Sequence, residues 1–431
     1  MPRRLRVCIV TPGALGSNPR VVKEAQALHD AGYEVAVVAT RTLAHVDSRD
    51  DTILSTAGWR SLRLDFRARG MIWRLRRAAQ LACAGAFRVT NNPQLADRAF
   101  SPFTGSLAAA VKREAADLYI AHYPAALPAV ARAAHHHRAI YAFDAEDFHL
   151  GDWPEEPVHH NKRRTVRAIE ASYLPSCAYV TAASPGIASA YVGAYGIPRP
   201  TVVLNVFPLA HTTLGPTPAG AVEPGPSVYW FSQTIGPDRG LECAVQAIAH
   251  ARTRPHLYLR GSPAVGFIDR LEQIAAPIGV ADRLHILPPA APNEMSTLAA
   301  AYDVGLSSET GHSPNRRVAL TNKLFTYLLG GLPVVMSDIA AHCALAPDLG
   351  TASFLYAKED AVSLAKALDI LLGDPAALAA ARTAAFHLGQ TRFNWEVEKV
   401  KFLERVGTVL QRHALVQNTS LKSALPGGLS T

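Results

Sequence analysis

Short apolar runs alternate along this chain with longer stretches in which apolar positions recur every three or four residues. Val7–Val10 is the first run, followed by a turn cluster holding Gly13 and Gly16. Val21, Ala25 and Leu28 then have helical spacing, which predicts a helix over 20–31 ending at Gly32, and Glu34–Ala39 is a second run. This order predicts the start of a doubly wound α/β sheet. Further strands are expected at 117–121, 139–143, 178–183 and 201–204, with helices at 108–116, 125–136, 162–174 and 185–195. Between 40 and 100 the pattern predicts only a helix over 78–87. Residues 208–226 carry five prolines and three glycines and read as a linker. The alternation then restarts, with strands at 228–231, 256–260 and 284–287. Helices are expected at 240–251, 267–275, 293–300, 359–372, 375–388 and 395–410. From 413 to the end the pattern fades, and a disordered tail is expected.

One stretch organises the second half, Ser307–Asp338. An apolar run at 301–306 leads into a polar loop carrying Glu309, an amphipathic segment from Asn322, a Gly330-Gly331 turn and the β-branched pair Val334-Val335. Read as strand, loop, helix, turn and strand, it places a carboxylate and free backbone amides at the carboxyl edge of a sheet, facing a helix N-terminus. Open α/β sheets bind phosphorylated ligands at such edges.

A chain of 431 residues, 49% apolar and 18% charged, is expected to fold as two domains. No run of apolar residues is long enough to span a membrane, and the apolar start is too short for a signal-peptide core. The five cysteines are scattered and lack zinc spacing, which suits a reduced, cytoplasmic setting. The net charge of +8 resides wholly in residues 1–200, with 25 Lys/Arg against 17 Asp/Glu. Within them, Arg60–Arg77 holds seven arginines and one acid, interleaved with apolar residues and Trp73. Three readings stay open for it: a solvated helix face lying over its own domain, a contact with an anionic membrane surface, or a nucleic-acid patch. No nucleic-acid motif accompanies the charge, so no nucleic-acid partner is expected.

Several pieces together resemble the GT-B glycosyltransferases, and more closely the large retaining family numbered four. They are RVCIVTPGALGSNPRVVKEAQALHDAGYEVAVVA, LYIAHYPAALPAV, TVVLNVFP, YWFSQTIGPDRGLECAVQAI, NKLFTYLLGGLPVVMSD and RFNWEVEKVKFLERV. The resemblance covers roughly residues 5–412. It implies two Rossmann-like domains facing across a cleft. These would be an acceptor-side domain over 1–207, the 208–226 linker, a nucleotide-sugar donor domain over 227–390, and a helix over 391–412 crossing back to the first domain. It further implies transfer of a hexose-type sugar, with retention, from a UDP- or GDP-sugar to a glycan, a lipid-linked molecule or a small metabolite. Polysaccharide assembly at the inner face of a membrane would be the setting.

The same resemblance assigns residues. His122 and Glu309 would be catalytic, near the transferred sugar. Gly16, Gln233, Arg239, Gly311, His312, Asn322, Lys323 and Thr326 would line the donor site, and Asp144, Glu146 and Asp147 would face the acceptor. Arg239, Lys323 and helix N-termini can carry a developing diphosphate charge, so no metal and no cofactor are expected. Plainer readings stand beside these: a turn glycine for Gly16, a loop histidine for His122, a surface carboxylate for Glu309 and helix caps for the three acids. Two departures bear on the chemistry. Gln233 stands where the family has an arginine, and Thr326 where it has a second, ribose-binding glutamate. A non-catalytic sugar-nucleotide or glycan-binding homologue, or a sugar-nucleotide epimerase, are therefore the alternatives.

Overall fold

A computed structural model of the chain describes residues 3–42, 44–68, 70–211, 220 and 222–424, without the side chains of 45, 211 and 418–424. The chain forms two compact units. The first comprises residues 1–182, 187–203 and 399–431, and the second residues 183–186 and 204–398.

The first unit is built on a parallel sheet of seven strands: β1 (Arg6–Val10), β2 (Glu34–Arg41), β3 (Arg60–Asp65), β4 (Leu118–His122), β5 (Ile140–Ala145), β6 (Val180–Ala182) and β7 (Thr201–Val202). Their spatial order is β3-β2-β1-β4-β5-β6-β7. The strands at its centre are short and apolar throughout, because helices cover both faces of a parallel sheet and leave no strand face to water. Val7–Val10 and Leu118–His122 are accordingly buried along their whole length.

The second unit repeats the plan with six parallel strands: β8 (Ser227–Ile235), β9 (His256–Pro263), β10 (Leu284–Leu287), β11 (Val304–Ser307), β12 (Val334–Ser337) and β13 (Ser353–Tyr356), ordered β10-β9-β8-β11-β12-β13. Trp230, Leu257, Leu259, Val304, Leu306 and Val335 fill its core. In both sheets the direction of winding reverses once, between β1 and β4 and between β8 and β11. Crevices at the carboxyl ends of such reversals are where doubly wound sheets take ligands.

Three expectations need correction. Residues 60–77 are not one helical segment. Arg60–Asp65 pairs as strand β3, and a single helix runs Met71–Thr90. The last helix runs Trp395–Ala424, so 413–424 is helical rather than a disordered tail; residues 425–431 lie outside the described residues. The linker over 208–226 falls partly outside them too, at 212–219 and 221, and Gly220 N–H donates to Asp303 Oδ1 at 2.7 Å. Strand β13 and the helices Asp47–Thr56 and Pro93–Phe100 were not expected.

Candidate functional site

In the second unit the site is built at the reversal between β8 and β11. After β8 the chain turns through Gly236–Gly240 and enters the helix Leu241–His250. Gly240 takes φ +68°, and a Cβ there would stand 2.3 Å from the Ser308 carbonyl oxygen, so only glycine lets the two loops meet. Ser308 Oγ donates to the Arg239 carbonyl at 2.7 Å, and Thr310 Oγ1 donates to the Asp238 carbonyl at 3.3 Å. These bonds tie the loop after β11 to the loop after β8.

Glu309 lies two residues past the end of β11. Its backbone carbonyl accepts from Ser337 Oγ at 2.7 Å, at the end of β12, and Ser337 is itself held through its carbonyl by His342 Nδ1 at 2.8 Å. The carboxylate is buried, 2% exposed, and is not a surface group. Lys323, one residue into the helix Asn322–Leu329, donates from Nζ to Glu309 Oε1 at 3.0 Å. The same ammonium lies 4.9 Å from the Trp230 ring centre, a cation–π contact that partly replaces lost hydration. Glu309 Oε2 makes no hydrogen bond, and Arg316 Nη1 stands 3.8 Å from it.

The charges here do not balance. Burial opposes ionisation of Glu309, but Lys323, Arg316 and Arg239 outweigh it and hold the carboxyl at about 2. Burial lowers Arg239, and Arg316 pushes the same way. Burial also lowers Lys323, with Arg239 and Arg316 adding to it against the pull of Glu309. Three cations thus crowd one carboxylate, with Asp238 exposed at the rim. An edge in this state gains from an anion, which would relieve repulsion among the cations.

The other predicted donor residues fall around this centre. Gly311 takes φ +67°, with Arg317 and Ile339 carbons 3.2 Å from where a Cβ would sit. His312 is exposed, its Nδ1 3.3 Å from Thr310 Oγ1. Gln233 is exposed near the end of β8. Thr326 is buried and donates to the Asn322 carbonyl at 2.9 Å, which turns its hydroxyl onto its own helix.

The first unit carries a second buried ionic cluster, again at its reversal. Arg20 grips Asp144 with two bonds, Nε to Oδ1 at 2.8 Å and Nη2 to Oδ2 at 2.7 Å, and donates to the Val203 carbonyl at 2.8 Å. Thr181 Oγ1 donates to Asp144 Oδ2 at 2.6 Å. Glu24, one turn after Arg20, lies 3.4 Å from its Nε. His122 Nε2 bonds to Glu24 Oε2 at 3.0 Å. Burial works against the charged imidazole, but Glu24, Asp144 and Glu146 prevail and raise its pKa. Burial alone would raise Asp144; Arg20 and His122 hold it well below the usual carboxylate range. Oxygen and nitrogen atoms of Glu24, His122 and Asp144 lie within 4.8 Å of one another, the spacing of a metal triad. Arg20 already supplies the cation between the two carboxylates.

Residues 15–206, which hold this cluster, match the family model described as a glycosyl transferase 4-like domain. The match covers somewhat less than half of the chain. The whole chain has the GT-B fold. HepE from Anabaena, crystallised with UDP and glucose, superposes with a TM-score of 0.70 over 94% of this chain and 100% of its own, at 17% identity. Sucrose-phosphate synthase from Thermosynechococcus elongatus gives 0.71 over 95% and 100%, at 15% identity. WaaG, a glycosyltransferase involved in lipopolysaccharide biosynthesis, gives 0.59 over 90% and 95%, at 13% identity. Identities this low show the fold and no more. No curated protein matches the chain in sequence.

Within the matched segment, the predicted residues divide. His122 and Asp144 come together, buried at neighbouring strand ends, with Glu146 and Asp147 just beyond and partly exposed. Asp144 is no helix cap. Gly16 packs tightly against its own neighbours: its N–H donates to Asp50 Oδ1 at 2.6 Å, and a Cβ would sit 2.8 Å from Arg49 Cβ. The glycine is needed for packing against its own neighbours. Sequence reasoning missed Arg20 and Glu24, whose i, i+4 spacing with opposite charge was the available signal. In the second unit it missed the role of Trp230, which reads as one more core residue of β8.

Proposed function

We propose that this chain is a glycosyltransferase that moves a hexose-type sugar from a UDP-sugar to a glycan or lipid-linked acceptor, with retention at the anomeric carbon. The observation that carries the reading is the excess of positive charge at the β8/β11 edge, where Arg239, Arg316 and Lys323 surround the buried carboxylate of Glu309. A leaving nucleoside diphosphate brings two or more negative charges, which these side chains and the N-termini of the adjoining helices are suited to stabilise. Such an edge does the electrostatic work of a divalent ion with protein cations.

In this reading Glu309 lies against the transferred sugar through its unbonded Oε2, and Lys323 fixes the carboxylate's orientation and keeps it ionised. Arg239 and Arg316 meet the phosphates. Gly311 and His312 face the same ligand from the following loop. His122 and the neighbouring acids Glu146 and Asp147 belong to the acceptor side. HepE was crystallised with UDP and glucose, which favours uridine in the donor, and WaaG's part in lipopolysaccharide biosynthesis favours a glycan acceptor.

UDP release from UDP-glucose and other UDP-sugars, with and without acceptor glycans, tests this reading. Turnover that disappears in Glu309→Gln is expected. UDP-sugar binding with no turnover for any acceptor would instead make the chain a binding homologue.

A further inference from the structure

The helix Met71–Thr90 has its apolar face on the wrong side for a core helix. Its inner face is held by few residues. Trp73 packs on Phe103 with ring centres 5.6 Å apart, Arg76 lies over Phe66 at 5.1 Å, and Gln80 Nε2 donates to the Ala99 and Phe100 carbonyls at 3.1 and 3.0 Å. Only Gln80 and Phe87 are buried. The outer face carries Met71, Leu75, Ala78, Ala82, Ala86 and Val89, all exposed. At about 100° per residue these six fall within an arc of about 80° along the whole helix. Met71 is 69% exposed, Leu75 62% and Val89 88%, and Ile72 at the edge of the stripe is 66% exposed.

Charge borders this stripe on one side. Arg74, Arg77 and Arg88 are exposed beside it, and the helix contains no acid. The arginines of the preceding strand and of the loop after it are occupied differently. Arg60 pairs with Glu114 at 2.7 Å, Arg63 with Asp51 at 2.9 Å, and Arg67 with Asp65 and Asp47. Those charges are neutralised within the unit. Among the described residues no carboxylate pairs with Arg74, Arg77 or Arg88, although Arg77 Nη1 donates to Gln80 Oε1, so apolar area and cationic rim coincide on one surface.

We propose that the outer face of the helix Met71–Thr90 lies on the surface of an anionic lipid bilayer, with the apolar stripe at the headgroup–acyl boundary and Arg74, Arg77 and Arg88 among the lipid phosphates. An apolar stripe alone would suit a second copy of this chain equally. The arginine rim selects the bilayer, because two copies meeting stripe to stripe bring like charges together. Apolar area and arginines add on such a surface, each arginine contributing about a fivefold gain in affinity. The proposal goes beyond sugar transfer and does not depend on it.

Co-sedimentation of the full chain with phosphatidylcholine vesicles, with and without about a third phosphatidylglycerol, tests it. Binding only to the anionic vesicles is expected, falling with added salt. Arg74→Ser and Arg88→Ser are each expected to weaken it about fivefold. Met71→Asp/Leu75→Asp is expected to weaken it at least tenfold with an unchanged melting temperature, since both side chains are exposed. The idea is overturned if the wild type stays in the supernatant or if the variants bind as it does. It is equally overturned if Met71→Asp/Leu75→Asp converts a dimer to a monomer without affecting vesicles, which would make a second copy the occupant. Vesicle binding fails or holds separately from UDP-sugar turnover.

Discussion

The two units carry a buried ionic cluster at the same topological place, and the clusters are wired differently. In the first, Arg20 is shared between Asp144 and Glu24, Thr181 adds a bond to Asp144, and His122 closes the set against Glu24. Acids and bases are matched. In the second, one carboxylate faces Lys323, Arg316 and Arg239. A matched cluster fastens strand ends together and orients a histidine, whereas an unmatched one is an incomplete set that a ligand completes. On the proposed reading, equivalent positions in two similar sheets serve holding in one and binding in the other.

That contrast can be broken at several points. The largest effect is expected from Arg20→Met, which leaves Asp144 and Glu24 buried with no guanidinium. A loss of about 3–5 kcal/mol in urea unfolding is predicted. Lys323→Met should unfold more gently, by about 1–3 kcal/mol, because Arg239 and Arg316 remain beside Glu309. Its transfer rate should nonetheless fall about a hundred- to a thousandfold. Equal stability losses in the two variants would erase the distinction. Gly240→Ala comes next. Its Cβ meets the Ser308 carbonyl in a left-handed turn, so a loss of about 2 kcal/mol, with weaker UDP binding, is expected in the same assays.

The smallest effect is in pH. His122 is raised above its ordinary 6.5, so its contribution to stability is complete below that value and is lost as pH rises through the raised one. Lys23, lowered to about 7 by burial and Arg20, works in the opposite direction, so the comparison must be with His122→Gln. Relative to that variant, the wild type should lose stability from pH 6.5 upward. Glu309 has the reverse sign. Held at about 2, it contributes fully above its ordinary 4.5, and that contribution is lost only as pH falls from there through 2. A pH 5–8 series on Glu309→Gln should therefore run parallel to wild type, and divergence there would show that the carboxyl titrates near neutrality.

Much of this architecture could be read from the chain. The alternation of apolar runs and helical periods predicted both sheets, and the stretch Ser307–Asp338 led directly to Glu309 and Lys323. The failures have physical causes. Strand β3 alternates arginine with leucine at a half-exposed edge, which looks like a basic amphipathic helix when joined to the residues after Gly70. The helix Met71–Thr90 turns its apolar stripe to solvent, against the rule that apolar periodicity marks the core. Arg20 and Glu24 sit on a helix among ordinary charged residues, and nothing local says that Asp144, more than a hundred residues away, will bury them. The ring of Trp230 beneath Lys323 is likewise a contact that only folding creates.

The central claim, that the unmatched cations of the second unit await a nucleoside diphosphate, is tested most directly by thermal unfolding with UDP at about a hundred times its dissociation constant. A stabilisation of about 2.7 kcal/mol is expected for wild type. The stabilisation should disappear in Arg239→Ala/Lys323→Met and persist in His122→Gln. No shift with wild type, or an undiminished shift in the doubly substituted chain, would contradict the account.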